Sequence, residues 1–269
     1  PRRQRQMCIR DRTLIHDDVV DDATLRRGRP SINRVWKNKI SVLMGDFILS
    51  KALINMIGLK DFDALEQISN TAEKLSAGEI LQIEKSITRS MTEDVYFEMI
   101  SQKTASLIAT SCELGAITTT KKEKDRQATF SFGENLGMAF QIKDDLFDLL
   151  GNENDTGKNN GGDVKRNMAT LPLIFSKNNM SRSAYKKLKK LLDVKKKSRS
   201  VISQIVQIIQ ETGGVDYARK KLDEYSQNAI ESILVYPDTP IRQSMCDLVD
   251  FNTSRAVSYT HLTLPTRYR

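Results

Sequence analysis

Apolar residues recur at three- and four-residue intervals along most of the chain, which is the spacing of amphipathic α-helices. Residues 40–58 (ISVLMGDFILSKALINMIG) are apolar almost all round, which predicts a buried central helix. Further helices are predicted over residues 61–86, 92–118, 122–151 and 213–233, with Asp61 and Thr92 as caps of the first two. Residues 152–167 are polar and glycine-rich, which predicts a mobile loop. The pattern therefore predicts an all-α domain.

The two ends of the chain are related to each other through the DNA that encodes them. Back-translation and reverse complementation of residues 257–267 (VSYTHLTLPTR) give PRRQRQMCIRD, which is the sequence of residues 1–11. This DNA resembles a transposon adapter, so residues 1–12 and 257–269 are interpreted as non-native, adapter-derived tails around a domain over residues 13–256. The tails hold seven Arg and one Asp, so the net charge of +8 falls to +2 over residues 13–256. Nucleic acid is therefore not expected as a partner.

The remaining composition excludes other classes of protein. Without the tails only Cys112 and Cys246 remain, and two such distant cysteines form no metal or disulfide motif, which favours a reducing cytoplasm. No run of eighteen apolar residues is present, so no transmembrane segment is predicted. Lysine-rich segments such as KKLKKLL and KKKSR are interpreted as a solvated helix face.

Two aspartate clusters share the spacing D-D-x-x-D, and both adjoin apolar helical sequence. They consist of Asp17, Asp18 and Asp21 in the first and of Asp144, Asp145 and Asp148 in the second. Residues four apart on a helix lie about 40° apart in azimuth, so Asp17 and Asp21 share a face. Unpaired carboxylates are costly beside apolar sequence, and hard divalent cations such as Mg²⁺ are their natural ligands.

Three arginines, Arg26, Arg27 and Arg29, follow the first cluster closely. Guanidinium groups bind phosphate oxygens in a fork, and Mg²⁺ completes its coordination with phosphate oxygens. Acidic residues for a metal beside basic residues for phosphate predict a metal–diphosphate site. The sequence shows no Ser–His or Cys–His arrangement that would indicate a nucleophile. His16 is interpreted as packing or hydrogen-bonding beside the metal site rather than as a general base.

HDDVVDDATLRRGRP and FQIKDDLFD resemble the two aspartate-rich motifs of the trans-polyprenyl diphosphate synthases. The segments GEILQ (78–82), KTA (103–105), GKNNGGD (157–163), TLPLI (170–174) and TGGVDYA follow in the family's order, and the resemblance extends from about residue 13 to residue 255. It implies a single-domain bundle of long antiparallel helices around a central cavity, paired as a homodimer. The aspartate motifs then face each other across the cavity mouth, and the enzyme condenses isopentenyl diphosphate with an allylic diphosphate.

The resemblance also implies roles for individual residues. Three Mg²⁺ ions are expected, with Asp17 and Asp21 binding two of them and Asp144 the third. Asp18, Asp145 and Asp148 are expected to orient ligands and waters, and Asp148 is also counted among the metal-binding residues.

The substrate-binding residues come from three segments. Arg26 is expected to hold the allylic diphosphate and Arg27 the isopentenyl diphosphate, while Lys103 and Lys158 add charge around the allylic diphosphate. Thr104 and Gln141 are expected to turn their dipoles towards the developing allylic cation.

Product length in this family depends on side-chain size below the first motif, and the small Thr13 favours a long product, such as a quinone side chain delivered to a membrane. A short-chain farnesyl or geranylgeranyl diphosphate synthase is the main alternative. A non-catalytic subunit of a heteromeric synthase usually loses motif aspartates, and both motifs are complete here. A terpene cyclase usually lacks RRGRP and a second full motif.

Two departures from the family pattern bear on activity. Asn167 and Met168 stand where the family usually has Gly-Lys, so one diphosphate-binding lysine is missing unless Lys165 or Arg166 compensates. The family's helices before the first motif have no counterpart in this sequence. The expectation is that the parent gene product is active and that this chain is impaired.

Overall fold

The computed structural model describes residues 15–20, 23–26, 29–150 and 161–254. This part of the chain is helical apart from one hairpin, in which β1 (Leu25–Arg26) pairs antiparallel with β2 (Arg29–Pro30). The chain divides into two compact units, one ending at Ser69 and the other beginning at Asn70. The predicted tails lie outside the described residues, so the domain boundaries at residues 13 and 256 stay a prediction.

Residues 15–20 are helical, and eleven further α-helices follow in the described chain. They are α1 (Ile32–Leu59), α2 (Phe62–Thr88), α3 (Glu93–Ile100), α4 (Ser106–Ile117), α5 (Glu123–Leu150), α6 (Gly162–Lys165), α7 (Leu171–Asn179), α8 (Arg182–Leu192), α9 (Arg199–Glu211), α10 (Gly214–Ser232) and α11 (Pro240–Ser254). A π-helical turn (Ser101–Ala105) joins α3 to α4. The predicted caps are confirmed, because the backbone N–H of Ala64 donates to Asp61 Oδ1 (3.1 Å) and that of Val95 donates to Thr92 Oγ1 (3.4 Å).

Helix α1 differs from the prediction in both length and burial. It begins at Ile32 rather than at residue 40, and the backbone leaves helical geometry at Lys37 (φ 64°). Only Ser41, Gly45 and Ala52 of this helix are buried, so the predicted buried central helix is wrong for the described chain. Periodicity reports which residues are apolar, whereas burial depends on which other elements pack against them. By length and composition α1 could cross a membrane, a criterion that buried core helices also meet.

Helix α5 forms the centre of the second unit. Its buried side chains pack against α3, the π-helical turn, α4, α7 and α10. Helix α9 joins the same core by packing against α7, α8 and α10, and the core includes Tyr96, Ile142, Leu171, Ile205 and Ala218. A smaller cluster that includes Phe132, Ile233 and Val249 attaches α11 to the same unit.

Two glycines allow close approach to the π-helical turn from either side. A Cβ added to Gly137 on α5 would lie 2.5 Å from Ala105 Cα, and one added to Gly78 on α2 would lie 2.7 Å from the backbone nitrogen of Lys103. Both distances are shorter than any normal contact. The backbones of α2 and α5 therefore flank the turn that carries Lys103 and Thr104.

Candidate active site

The first aspartate motif is tied to the start of α1 within the first unit. Asp18 is buried and Asp17 is partly exposed on the helical turn of residues 15–20. The backbone carbonyl of Asp18 accepts hydrogen bonds from the backbone N–H of Ala23 (2.9 Å) and from Asn33 Nδ2 (2.8 Å). Ser31, which precedes α1, donates its hydroxyl to the carbonyl of Ala23 (2.5 Å). These bonds connect the backbone at Asp18 and Ala23 to the start of α1.

His16 lies against α1, and its place beside a metal site stays a prediction. Its Nε2 is 3.2 Å from the carbonyl oxygen of Val42 and 3.5 Å from Asp46 Oδ1. These contacts give the imidazole a structural role. Of the other predicted residues in this region, Arg29 is exposed on β2, whereas Thr13, Asp21 and Arg27 lie outside the described residues, as does Lys158 further along the chain. The structure describes the backbone of Arg26 but not its side chain.

The second aspartate motif brings three predicted residues together. Asp144 is exposed and Asp145 is buried on α5. Asp145 Oδ1 accepts a hydrogen bond from Gln141 Nε2 (2.9 Å), and Gln141 Oε1 accepts one from Thr104 Oγ1 (2.8 Å). Asp145 Oδ2 accepts a hydrogen bond from the Tyr96 hydroxyl (2.7 Å). A continuous chain of hydrogen bonds therefore runs from α3 through α5 to the π-helical turn.

The carboxylates of this motif repel one another. Burial raises the pKa of Asp145 to about 7, and the charges of Asp163 and Asp144 add to the rise, against hydrogen bonds from Tyr96 and Gln141 that lower it. Burial, followed by the charge of Asp163, also raises the pKa of Asp148. A cation near these side chains would offset the repulsion.

Asp148 accepts hydrogen bonds from the backbone at the start of α6. Its two carboxylate oxygens accept hydrogen bonds from the backbone N–H groups of Gly162 (3.2 Å) and Asp163 (2.8 Å), and its carbonyl accepts one from Gly161 (2.8 Å). These bonds stabilise the N-terminus of α6, in the manner of a helix cap. The predicted loop over residues 152–167 is therefore wrong at residues 162–165, while residues 151–160 lie outside the description. The metal-binding role of Asp148 stays a prediction.

Lys103 lies on the π-helical turn and faces α2. Its Nζ is 2.5 Å from Glu79 Oε2 and donates to Gln82 Oε1 (2.7 Å), and all three side chains are partly buried. Gln82 Nε2 in turn lies 3.8 Å from Met168 Sδ. GEILQ therefore supplies both partners of the Lys103 ammonium group, and Gln82 of that segment also contacts Met168, shortly before TLPLI.

A lysine from a distant part of the chain, Lys197, contacts Asn167, one of the two residues that replace the family's usual Gly-Lys. Asn167 adopts a left-handed conformation (φ 60°), and its Oδ1 accepts a hydrogen bond from Lys197 Nζ (2.7 Å). Arg166 instead pairs with Asp163 Oδ1 (2.8 Å), and Lys165 is exposed. Sequence reasoning missed Lys197, and a lysine thirty residues away within a basic segment gives no local signal of this contact.

The donors at the second motif fit a divalent cation of the Mg²⁺ type. Among the residues that the structure describes, no three His, Cys, Asp or Glu side chains form a ready-made metal cage. Mg²⁺ needs no such cage, because it takes one or two protein carboxylates and completes its shell with water and phosphate oxygens. The oxygen donors and the mutual repulsion of Asp144, Asp145 and Asp163 are in keeping with such an ion.

Comparison with known proteins identifies the family. A family profile described as polyprenyl synthetase matches residues 6–209. The chain belongs to the polyprenyl synthetase family. As a member of it, this chain is a prenyltransferase of isoprenoid biosynthesis, in agreement with the resemblance found in the sequence.

Relatives with different products match this synthetase to similar degrees. The all-trans-nonaprenyl-diphosphate synthase (geranyl-diphosphate specific) of Rhodobacter capsulatus is 33% identical over 236 residues, which cover 88% of this chain and 72% of that protein. The geranylgeranyl pyrophosphate synthetase structure from Pyrococcus horikoshii has a TM-score of 0.86 at 29% identity, covering 93% of this chain and 77% of that one. These matches confirm the predicted all-α isoprenoid synthase fold and leave the product length open.

A third match contains ligands. The structure of a polyprenyl synthase from Caulobacter crescentus complexed with calcium and isoprenyl diphosphate has a TM-score of 0.84 at 30% identity, and covers 93% of this chain and 76% of that one. A relative of this synthetase therefore binds both a divalent cation and an isoprenyl diphosphate.

Proposed function

We propose that this chain is a Mg²⁺-dependent synthase that condenses isopentenyl diphosphate with an allylic diphosphate to make a medium- or long-chain trans-polyprenyl diphosphate, for example for a quinone side chain. The observation that carries the proposal is the hydrogen-bonded chain from Thr104 through Gln141 to Asp145, which begins on the π-helical turn that also carries Lys103. The turn provides a positive charge for a diphosphate, at Lys103. It also provides an oriented oxygen dipole for an allylic cation, at Thr104.

Metal and diphosphates are held by separate sets of residues in this proposal. Asp17, Asp21 and Asp144, with Asp148 in support, would hold three Mg²⁺ ions, whose charge would stabilise the departing diphosphate. Arg26, Arg27, Lys103 and Lys158 would bind the diphosphates of the two substrates.

Lys103 and Thr104 would act on opposite ends of the bond that breaks. The Lys103 ammonium group binds the allylic diphosphate, which leaves with the electron pair of the C–O bond. The hydroxyl hydrogen of Thr104 is engaged by Gln141 Oε1, so the lone pairs of Thr104 Oγ1 can be turned towards the allylic cation. The alkene of isopentenyl diphosphate attacks this cation, and the released diphosphate accepts the proton that is then lost.

A short-chain farnesyl or geranylgeranyl diphosphate synthase is the second candidate. The match to the geranylgeranyl pyrophosphate synthetase structure from Pyrococcus horikoshii supports it, and the match to the nonaprenyl relative supports a long product. Completeness of the second D-D-x-x-D motif argues against a non-catalytic subunit.

The proposal also includes a homodimer in the cytoplasm whose product passes to a membrane. Exposed apolar side chains on α1 and at the start of α2, among them Trp36, Phe47 and Phe62, support self-association, because large apolar patches are rarely left in water. Sedimentation equilibrium should give twice the chain mass, and a monomer at micromolar concentration would contradict the homodimer.

The catalytic proposal is tested by incubating the chain with Mg²⁺, radiolabelled isopentenyl diphosphate and farnesyl diphosphate, beside Asp17→Ala. Calorimetry with a non-hydrolysable thio analogue of farnesyl diphosphate measures binding independently. We expect a product ladder extending beyond geranylgeranyl length that is lost in Asp17→Ala. Products ending at geranylgeranyl diphosphate would favour the second candidate. A folded chain that neither binds the thio analogue nor forms a Mg²⁺-dependent product would overturn the proposal.

A further inference from the structure

We infer that Tyr96 is a positioning residue for the second aspartate motif, because its buried hydroxyl and the Gln141 amide together fix the Asp145 carboxylate. The inference rests on the proposed function and extends it to a residue outside every motif singled out in the sequence. It concerns how the motif is held ready for a divalent cation and a diphosphate.

The Asp145 carboxylate is held from two directions. The Tyr96 hydroxyl, on α3, donates to Oδ2 (2.7 Å), and Gln141 Nε2, one turn earlier on α5, donates to Oδ1 (2.9 Å). Tyr96 has no exposed surface and Asp145 is only 7% exposed. Each carboxylate oxygen thus has its own hydrogen-bond donor. Rotation of the carboxylate about the Cβ–Cγ bond of Asp145 would therefore break both hydrogen bonds.

Packing alone does not account for a tyrosine at this position. The ring of Tyr96 contacts Phe97 edge-on (5.5 Å between centroids) and lies in the apolar core around α5. A phenylalanine would fill the same space, whereas a buried hydroxyl is unfavourable unless it finds a partner. The partner it finds is a carboxylate that Asp144 and Asp163 repel. The hydroxyl therefore offsets part of the repulsion on the Asp145 carboxylate.

A shift of the Asp145 carboxylate would affect two neighbouring parts of the site, namely Asp144 and the Gln141–Thr104 pair. Asp144, the predicted metal ligand, is the adjacent residue on the same turn of α5. Gln141 links Asp145 to Thr104, so a shift of the carboxylate would also change the direction of the Thr104 hydroxyl. Replacing a residue that orients a metal ligand typically costs about 10–100-fold in metal affinity or activity, and Tyr96 would act on the predicted ligand Asp144 through Asp145.

The test compares Tyr96→Phe with Tyr236→Phe in the full chain. The Tyr236 hydroxyl donates to the backbone carbonyl of Asp125 (2.7 Å) in the same unit, so its removal deletes a tyrosine hydrogen bond without touching the second motif. Mn²⁺ binding in the presence of inorganic diphosphate is followed by electron paramagnetic resonance, and thermal unfolding is recorded for both variants. Steady-state kcat and KM are measured at saturating Mg²⁺.

We expect both variants to remain folded and only Tyr96→Phe to weaken diphosphate-dependent Mn²⁺ binding, by about tenfold or more. Its kcat should fall while the KM for isopentenyl diphosphate stays within about twofold, since the loss is local to the second motif. Equal Mn²⁺ affinity in Tyr96→Phe and Tyr236→Phe would overturn the inference. If the unmodified chain itself binds no Mn²⁺ with diphosphate, the proposed function fails instead, so the two failures are distinguishable.

Discussion

Gly137→Ala should lower the stability of the chain by about 3 kcal/mol or more, an overpacking effect at the upper end of its usual range. The added Cβ would lie 2.5 Å from Ala105 Cα and 2.9 Å from Ala105 Cβ. Neither partner can rotate away, because both belong to or adjoin the backbone of the π-helical turn. Helix α5 and this turn would have to separate, which would also move Thr104 away from Gln141.

Gly115→Ala is the matched control for this prediction. Gly115 lies in α4, and a Cβ added there would meet nothing within 4 Å. Alanine favours a helix over glycine by about 0.5–1 kcal/mol, so this variant should be as stable as the parent or slightly more stable. Urea denaturation followed by circular dichroism measures both variants. Equal midpoints for Gly137→Ala and Gly115→Ala would show that the turn yields easily, contrary to the packing described above.

Local patterns in the sequence were sufficient for four of the long helical segments and for two of their caps, but not for the start and burial of α1 or for α6. The predicted helix over residues 92–118 corresponds to α3, the π-helical turn and α4, and Thr92 caps it as expected. The π-helical turn itself was not predicted, because Ser101–Ala105 contains no Pro or Gly that would interrupt the helix predicted over residues 92–118. Its geometry goes together with the close approach of Gly78 and Gly137, which lie far away in the sequence.

The candidate site was predictable in its charged residues but not in their contacts. The D-D-x-x-D spacing indicated carboxylates for a metal, yet it did not separate the buried Asp145 from the exposed Asp144. Nor did it show that Asp148 accepts hydrogen bonds from the backbone of α6. Tyr96, within an apolar helix, is indistinguishable in sequence from a core aromatic residue, and its bond to Asp145 joins residues 49 positions apart.

Lys103→Gln should lower kcat/KM for the allylic diphosphate by about 100-fold, because hydrogen bonds to charged groups contribute about 1.5–3 kcal/mol and this one would serve a leaving group. The same change leaves Glu79 without its partner 2.5 Å away. Because both side chains keep some contact with water, we expect a modest loss of stability, about 1–2 kcal/mol. The activity loss alone therefore does not distinguish binding of a diphosphate from support of the fold.

A double-mutant cycle with Glu79→Gln separates the two effects. Glu79→Gln/Lys103→Gln has no unpaired charge at this contact and should recover most of the stability lost in Lys103→Gln, measured by urea denaturation. Its kcat/KM should stay about 100-fold low, since no ammonium group remains for the diphosphate. Glu79→Gln alone keeps Lys103 and removes the competing carboxylate, so calorimetry should show inorganic diphosphate binding at least as tightly as in the parent. Recovery of activity in the double variant would mean that Lys103 acts only through its ion pair with Glu79.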